Sequence, residues 1–410
     1  MEARKQMTFL LGSAFGGRLR IRFHYRLRTL FAFVFLTSVP LAWCAAKFQM
    51  KRAERHAVAR IRELGGGVCY DWQPALGFLA FEDWEARSDH VDEPRPPGPG
   101  WLRQLLGDDA FTSVVVVYWP HSRIDSSSAE AIATFGHLRS LILFDSTITS
   151  EGMAHLVGLR HLNKLELQGT AIDDVAMRHI GRLKSLSELR LDATRITGVG
   201  LAKLAGLARL EHLHLNGTRI DDQSLRHLSR MTRLVHLELD DTRISDAGIA
   251  HLRGLERLES LSLCRTSVHG AGLSAICHCY ELKLRETPLD DAALAHLNSV
   301  CGLAILDLAH TQVTGSGFAD LVVPTLRSLN VSYSPITPAG LLCIGRLTSL
   351  ESLNLDHTCV ADPDAPAIEG LHLGYASLDD TRLTPIGIKH LRRIWWENLQ
   401  AFDPGSDQDN

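Results

Sequence analysis

The sequence predicts an α/β solenoid of about twelve strand–turn–helix repeats, preceded by one transmembrane helix. Three observations carry this expectation. A thirteen-letter phrase recurs in register, as LRLDATRITGVGL (Leu189–Leu201), LHLNGTRIDDQSL (Leu213–Leu225) and LELDDTRISDAGI (Leu237–Ile249). Each phrase opens with alternating apolar letters and closes on helical spacing. An uncharged run, Leu30 to Ala46, lies between basic flanks.

The repeat is best followed through its central hydroxyl residue. Equivalent positions are Ser122, Ser146, Thr170, Thr194, Thr218, Thr242, Thr266, Thr287, Thr311, Ser334, Thr358 and Thr381. Most are 24 residues apart, and three spacings are 23 or 21. Such a period marks a repeat architecture. Five and three residues before each marker stand apolar pairs such as Leu165 and Leu167, or Leu213 and Leu215. Their alternation predicts a short strand with one buried face. Seven and ten residues after the marker stand Leu201 and Leu204, or Leu225 and Leu228. That spacing puts both side chains on one face of a helix.

Helix starts are written three residues after the marker. Thr149, Asp173, Thr197, Asp221, Ser245, Asp290, Thr314, Thr337 and Thr384 can each accept a hydrogen bond from a free first-turn amide. Pro338 and Pro385 follow directly, at the first helical position, where proline is tolerated.

The pattern L-x-x-L-x-L-x-x-T-x-I resembles a leucine-rich repeat, with Thr or Ser where the family usually carries Asn or Cys. The I-T/D-D-x-G-L stretch that follows is similar to the helical, cysteine-containing-like subtype of F-box partner proteins. The resemblance covers about Val114 to Ile394. It implies a horseshoe with a parallel sheet on the concave side and helices on the convex side. The central hydroxyl then reads as structural. The chain turns inward after each strand, and a repeated hydroxyl could satisfy buried backbone groups by bridging adjacent coils.

The ends differ from the array. Residues 1–29 form a basic tail with Arg4, Lys5, Arg18, Arg20, Arg22, Arg26 and Arg28. Residues 30–46 form the expected membrane helix, with the N-terminus cytoplasmic and the array on the other side. A cleaved signal peptide follows the same order of basic, apolar and small residues. Residues 47–113 are expected to hold a basic amphipathic helix, a Pro/Gly linker at Ser88 to Gly100 and an N-terminal cap. The array spans 114–394. Residues 395–410 provide a C-terminal cap, with Trp395 and Trp396, and a polar tail.

Composition and motif searches exclude several function classes. The net charge of −4 gives no polyanion-binding signal, so no nucleic-acid partner is expected. Eight cysteines among 410 residues are too sparse for a disulfide scaffold. Cys277 and Cys279 look like a metal fragment, but Cys279 falls on an apolar position of the shortened repeat. No phosphate loop and no Ser-His-Asp signature is present, so no catalytic residue, cofactor or metal is assigned.

The outward strand positions are the candidate surface. One row reads Glu166, Arg190, His214, Glu238, Ser262, Lys283 and Asp307. A second reads Lys164, Glu188, His212, His236 and Ser260, and a third Gln168, Asp192, Asn216, Asp240 and Cys264. Beyond the turn stand Arg195, Arg219 and Arg243. The candidate ligand-binding residues are Glu166, Arg190, His212, His214, His236, Glu238, Arg195, Arg219 and Arg243. The group His212, His214, His236 and Glu238 would hold a metal only if three ligands converged; a solvated mixed-charge face is the favoured reading. The expected function is a non-catalytic, membrane-anchored scaffold that binds a protein partner through its concave face. A substrate-recognition adaptor of a ubiquitin-ligase-like complex is the alternative, although no F-box-like segment is evident before the array.

Overall fold

The computed structural model describes residues 27–71 and 112–401, with isolated positions outside them. Most of the basic tail and of the Pro/Gly linker, and the side chain of Trp396, lie outside the described residues.

Thirteen strands form one sheet in sequence order. The first two, Gly67–Tyr70 and Val114–Tyr118, pair antiparallel. Every later pairing is parallel, with the apolar strand residues in line: Leu165, Leu189, Leu213, Leu237 and Leu261. Period-2 alternation sends Leu213 and Leu215 inward, both fully buried. Ile220, Leu225 and Leu228 meet them from the turn and the helical side, also fully buried. Repetition of this set joins all coils into one continuous core.

The helical half of each coil is short. It is a single α-turn or two, as at Asp174–Ile180 and Asp222–Leu225, often continuing as a 3-10 turn, and a 3-10 turn alone at Ala271–Ala275, Ser316–Asp320 and Asp362–Ala367. Capping follows the sequence at Thr149, Asp173, Thr197, Asp221, Ser245, Asp290, Thr337 and Thr384, which each accept an amide hydrogen bond from the first turn; Thr314 does not cap, because its hydroxyl donates to Asp291 and left-handed Gly315 leads into the turn. The residue after the cap does something the pattern did not announce. Asp174 accepts from Thr197 N at 2.8 Å, Thr197 Oγ1 at 2.6 Å and Gly200 N at 2.9 Å, all on the following coil. Asp222, Asp246, Asp291 and Asp362 reach forward in the same way.

The threonine column is buried, but it mostly does not bridge coils. Thr218 Oγ1 donates to Leu215 O at 2.6 Å, closing its own turn. Thr194, Thr266, Thr287, Thr311 and Thr358 do the same at their own positions. Bridging belongs to two serines. Ser146 Oγ donates to Trp119 O at 3.0 Å, and Ser334 Oγ to Leu308 O at 3.0 Å, each on the preceding coil.

The residue before every marker has positive φ. Gly169 and Gly217 take it freely, but His121, Asp145, Ala193, Asp241, Arg265, Glu286, His310, Tyr333, His357 and Asp380 take it with side chains, at φ between 52° and 57°. This left-handed residue turns the chain from strand to core and is strained for a residue with a Cβ.

The expected transmembrane helix is overturned, and the single-pass topology with it. Among the described residues no helix is long and apolar enough to cross a membrane. Residues 30–46 do lie in a helix, Leu27–Glu63, but it runs on through Lys47, Lys51, Arg52 and Arg55. The uncharged stretch amounts to about 25 Å of helix against an apolar layer of about 30 Å, and it contains Thr37, Ser38 and Pro40. The second half of this helix instead closes the first coil. Glu54, Ala57, Val58 and Ile61 are buried. Arg60 Nη2 donates to Ser127 Oγ at 2.7 Å, and Trp119 Nε1 to Leu64 O at 3.2 Å. A Cβ on Gly66 would meet Ile61 and the Trp119 ring, so only glycine lets the chain leave here. At the other end, Leu391 and Trp395 of helix Pro385–Ala401 are buried, and Trp395 Nε1 donates to Ile368 O at 3.0 Å.

Candidate functional site

The open face of the sheet carries the charged and aromatic residues in rows set by the parallel register. His214 sits opposite Arg190 on one side and Glu238 on the other. His212 sits between Glu188 and His236. Neighbouring coils are about 4.8 Å apart, so interactions run across coils.

The first cluster is a closed quartet. Lys164 Nζ lies 2.7 Å from Glu166 Oε1 and 3.1 Å from Glu188 Oε1, and Arg190 Nε lies 2.9 Å from Glu188 Oε1. The Lys164 and Glu166 side chains are only 6% and 10% exposed, so this is an ordered group rather than a solvated fringe. Burial pushes Glu188 up, but the Lys164 and Arg190 charges outweigh it and hold the carboxyl below its ordinary range. Burial works against the Arg190 charge; Glu166 and Glu188 overcome it and raise its pKa.

The second cluster contains the histidines, and the structure divides them. His212 and His236 stack with ring centroids 4.5 Å apart and planes at 10°. Burial and the facing His236 lower the pKa of His212. His214 turns away from this pair: its Nδ1 lies 2.9 Å from Glu238 Oε2. Glu238 also accepts Asn216 Nδ2 at 2.6 Å. The hydrogen bond from His214 is the largest influence holding the Glu238 carboxyl down, to about 2. The four residues grouped from sequence therefore do not converge. Asp192 replaces the stacked histidines: ligand atoms of Asp192, His214 and Glu238 all lie within 4.8 Å of one another. Burial raises the Asp192 pKa, and the charge of Glu238 adds to it.

The third row locks the face. Asp192 Oδ1 accepts Asn216 N at 2.8 Å, Asn216 Oδ1 accepts Asp240 N at 2.8 Å, and Asp240 Oδ1 accepts Cys264 N at 2.8 Å. Each side chain thereby satisfies a backbone amide on the next coil.

Arg195, Arg219 and Arg243 are exposed past the turn, their amides bonded to Ile172, Ile196 and Ile220 of the preceding coil. The left-handed residue separates them from the strand rows. That left-handed position forms a further row which sequence reasoning missed. His310, Tyr333 and His357 stack at 4.0 Å per step. His357 Nε2 lies 3.3 Å from Asp380 Oδ2. Arg265 makes a bidentate pair with Asp241, at 2.6 Å for both bonds. The available signal was the letter before each marker, whose chemistry changes from coil to coil.

Cys279 is fully buried, and burial pushes its thiol up to about 12. Its Sγ donates to Glu281 O at 2.9 Å, which fits the core role expected at that position.

The comparisons with known proteins concern this architecture. An internalin (inlF) from Listeria monocytogenes aligns with TM-score 0.52 and 21% identity, over 71% of this chain and 91% of that one. Internalin C2 (inlC2) from the same organism aligns with TM-score 0.41 and 24% identity, over 49% and 82%. The first likeness shows the fold alone. No curated protein matches the chain. A family model described as a leucine-rich repeat region matches residues 125–371, more than half of the sequence. With the recurring strand, turn and short helix in register, that match places the chain in the leucine-rich repeat family.

Proposed function

We propose that this chain is a non-catalytic scaffold that binds a protein partner through the open face of its sheet, centred on Glu166, Arg190, His212, His214, His236 and Glu238. Leucine-rich repeat proteins in general act as protein-interaction scaffolds. The observation that carries the reading is the fixed state of that face. The Lys164–Glu166–Glu188–Arg190 quartet, the His212–His236 stack and the Asp192–Asn216–Asp240 amide ladder hold polar side chains in place before any partner arrives. Ordering long side chains is a cost of association, so a preset surface favours binding. The exposed Arg195, Arg219 and Arg243 form the rim of this surface.

The test is affinity capture with the full chain, followed by identification of the captured protein. Arg190→Ala with Lys283→Ala, both on the open face, should lose that protein while circular dichroism stays native. Arg226→Ala, exposed on the helical side, should keep it. The reverse pattern would move the working surface to the helices.

A further inference from the structure

We propose that Asp192, His214 and Glu238 form a binding site for one divalent transition-metal ion on the open face of the sheet. Three consecutive coils each give one donor. Parallel register places His214 between the coils that carry Asp192 and Glu238, and their ligand atoms lie within 4.8 Å of one another. Donors about 2.1 Å from a tetrahedral ion stand about 3.4 Å apart, so small side-chain rotations close the site. Two of the three donors, His214 Nδ1 and Glu238 Oε2, are already 2.9 Å apart.

The donor set selects the ion. One imidazole nitrogen with two carboxylate oxygens suits Zn2+ or a neighbouring first-row ion, and two carboxylates balance its charge. Calcium asks for six to eight oxygens, which this group does not supply. No cysteine is among the ligands. The Glu238 side chain is 37% exposed, which leaves water access on the open side.

The surroundings fit the same role. Asn216 fixes both carboxylates, through its backbone N to Asp192 at 2.8 Å and its Nδ2 to Glu238 at 2.6 Å. Such outer partners orient ligands in metal sites. The cations of the strand row on either side are engaged elsewhere, Arg190 with Glu188 at 2.9 Å and Lys283 with Glu281 at 3.1 Å.

The site does not depend on partner binding and is tested without a partner. Zn2+ is titrated calorimetrically into the full-length chain. One ion per chain is expected, and Asp192→Asn, His214→Gln and Glu238→Gln should each weaken it by at least about tenfold. His212→Gln, which changes only the stacked pair, should not. Unchanged binding in all three ligand variants, or no Zn2+ binding by the wild-type chain, would overturn the site. Wild-type protein loaded with Co2+ provides a second readout that needs no variant. Weak d–d bands alone indicate nitrogen and oxygen ligands, whereas intense thiolate-to-metal absorption would put the ion at the exposed Cys277, Cys301 or Cys359 and overturn the proposal.

Discussion

Thr218 Oγ1 and the carbonyl of Leu215 are 2.6 Å apart, inside one turn of one coil. The hydroxyl is buried, so its partner has no access to water in its absence. Thr218→Val keeps the shape and removes the donor. It should lower unfolding free energy by about 1 kcal/mol, the net worth of one hydrogen bond, because Leu215 O keeps the longer bond from the Thr218 amide at 3.3 Å. Urea unfolding measures this, and an unchanged midpoint would show that the Thr218 amide alone satisfies Leu215 O.

The left-handed position gives a prediction of opposite signs. Ala193 holds φ of 54° with a Cβ, while Gly217 holds 64° without one. Ala193→Gly should stabilise the chain by about 1 kcal/mol, and Gly217→Ala should destabilise it by about the same amount. A Cβ on Gly217 would come no closer than 3.7 Å to its neighbours, so backbone strain alone sets the cost. Equal signs for the two variants would refute the strain account.

Thiol chemistry should follow burial. Cys277, Cys301 and Cys359 are exposed, while Cys264 and Cys279 are buried. Burial raises the pKa of both buried thiols, that of Cys279 to about 12. The thiolate is the reactive form. Maleimide footprinting of the native chain should modify the first three quickly and the last two only after denaturant is added.

Acid should loosen the joint at Asp291. Burial pushes this carboxyl up, but hydrogen bonds from Thr314, Gly317 and Ser316 outweigh it and lower its folded pKa. A depressed folded pKa means stability that is present above the ordinary aspartate range and lost as pH falls through the folded value. Asp291→Asn should therefore reduce the slope of melting temperature against pH below about pH 4. An identical slope in both proteins would remove Asp291 from the acid response.

The sequence displayed the array because its signal is repeated. Leu213 and Leu215, Ile220, Leu225 and Leu228 occupy one kind of position in many coils, and burial confirms all of them. Partner choice was less legible. A threonine in register marks a buried hydroxyl but not its rotamer, and rotamer decides between Leu215 in the same coil and a carbonyl one coil away. The left-handed row was hidden because only Gly169 and Gly217 announce it by residue type. The Asp192–His214–Glu238 group runs diagonally across two rows, and row-by-row reading separates its members. Leu30 to Ala46 misled through its lack of charge; its length was already short for a bilayer.

The forward-reaching aspartates bear on how such a chain can grow. Asp222 closes the seam with Ser245, 23 positions later, so one 24-residue segment carries both halves of a joint. Copying residues 222–245 in tandem would leave every seam around the insertion matched, with no orphaned carboxylate and no bare amide. Losing a dozen residues from the same stretch would break that joint. Length in this array is thus free to drift by whole units, or by the few residues that separate a spacing of 21 or 23 from 24, and is closed to half units.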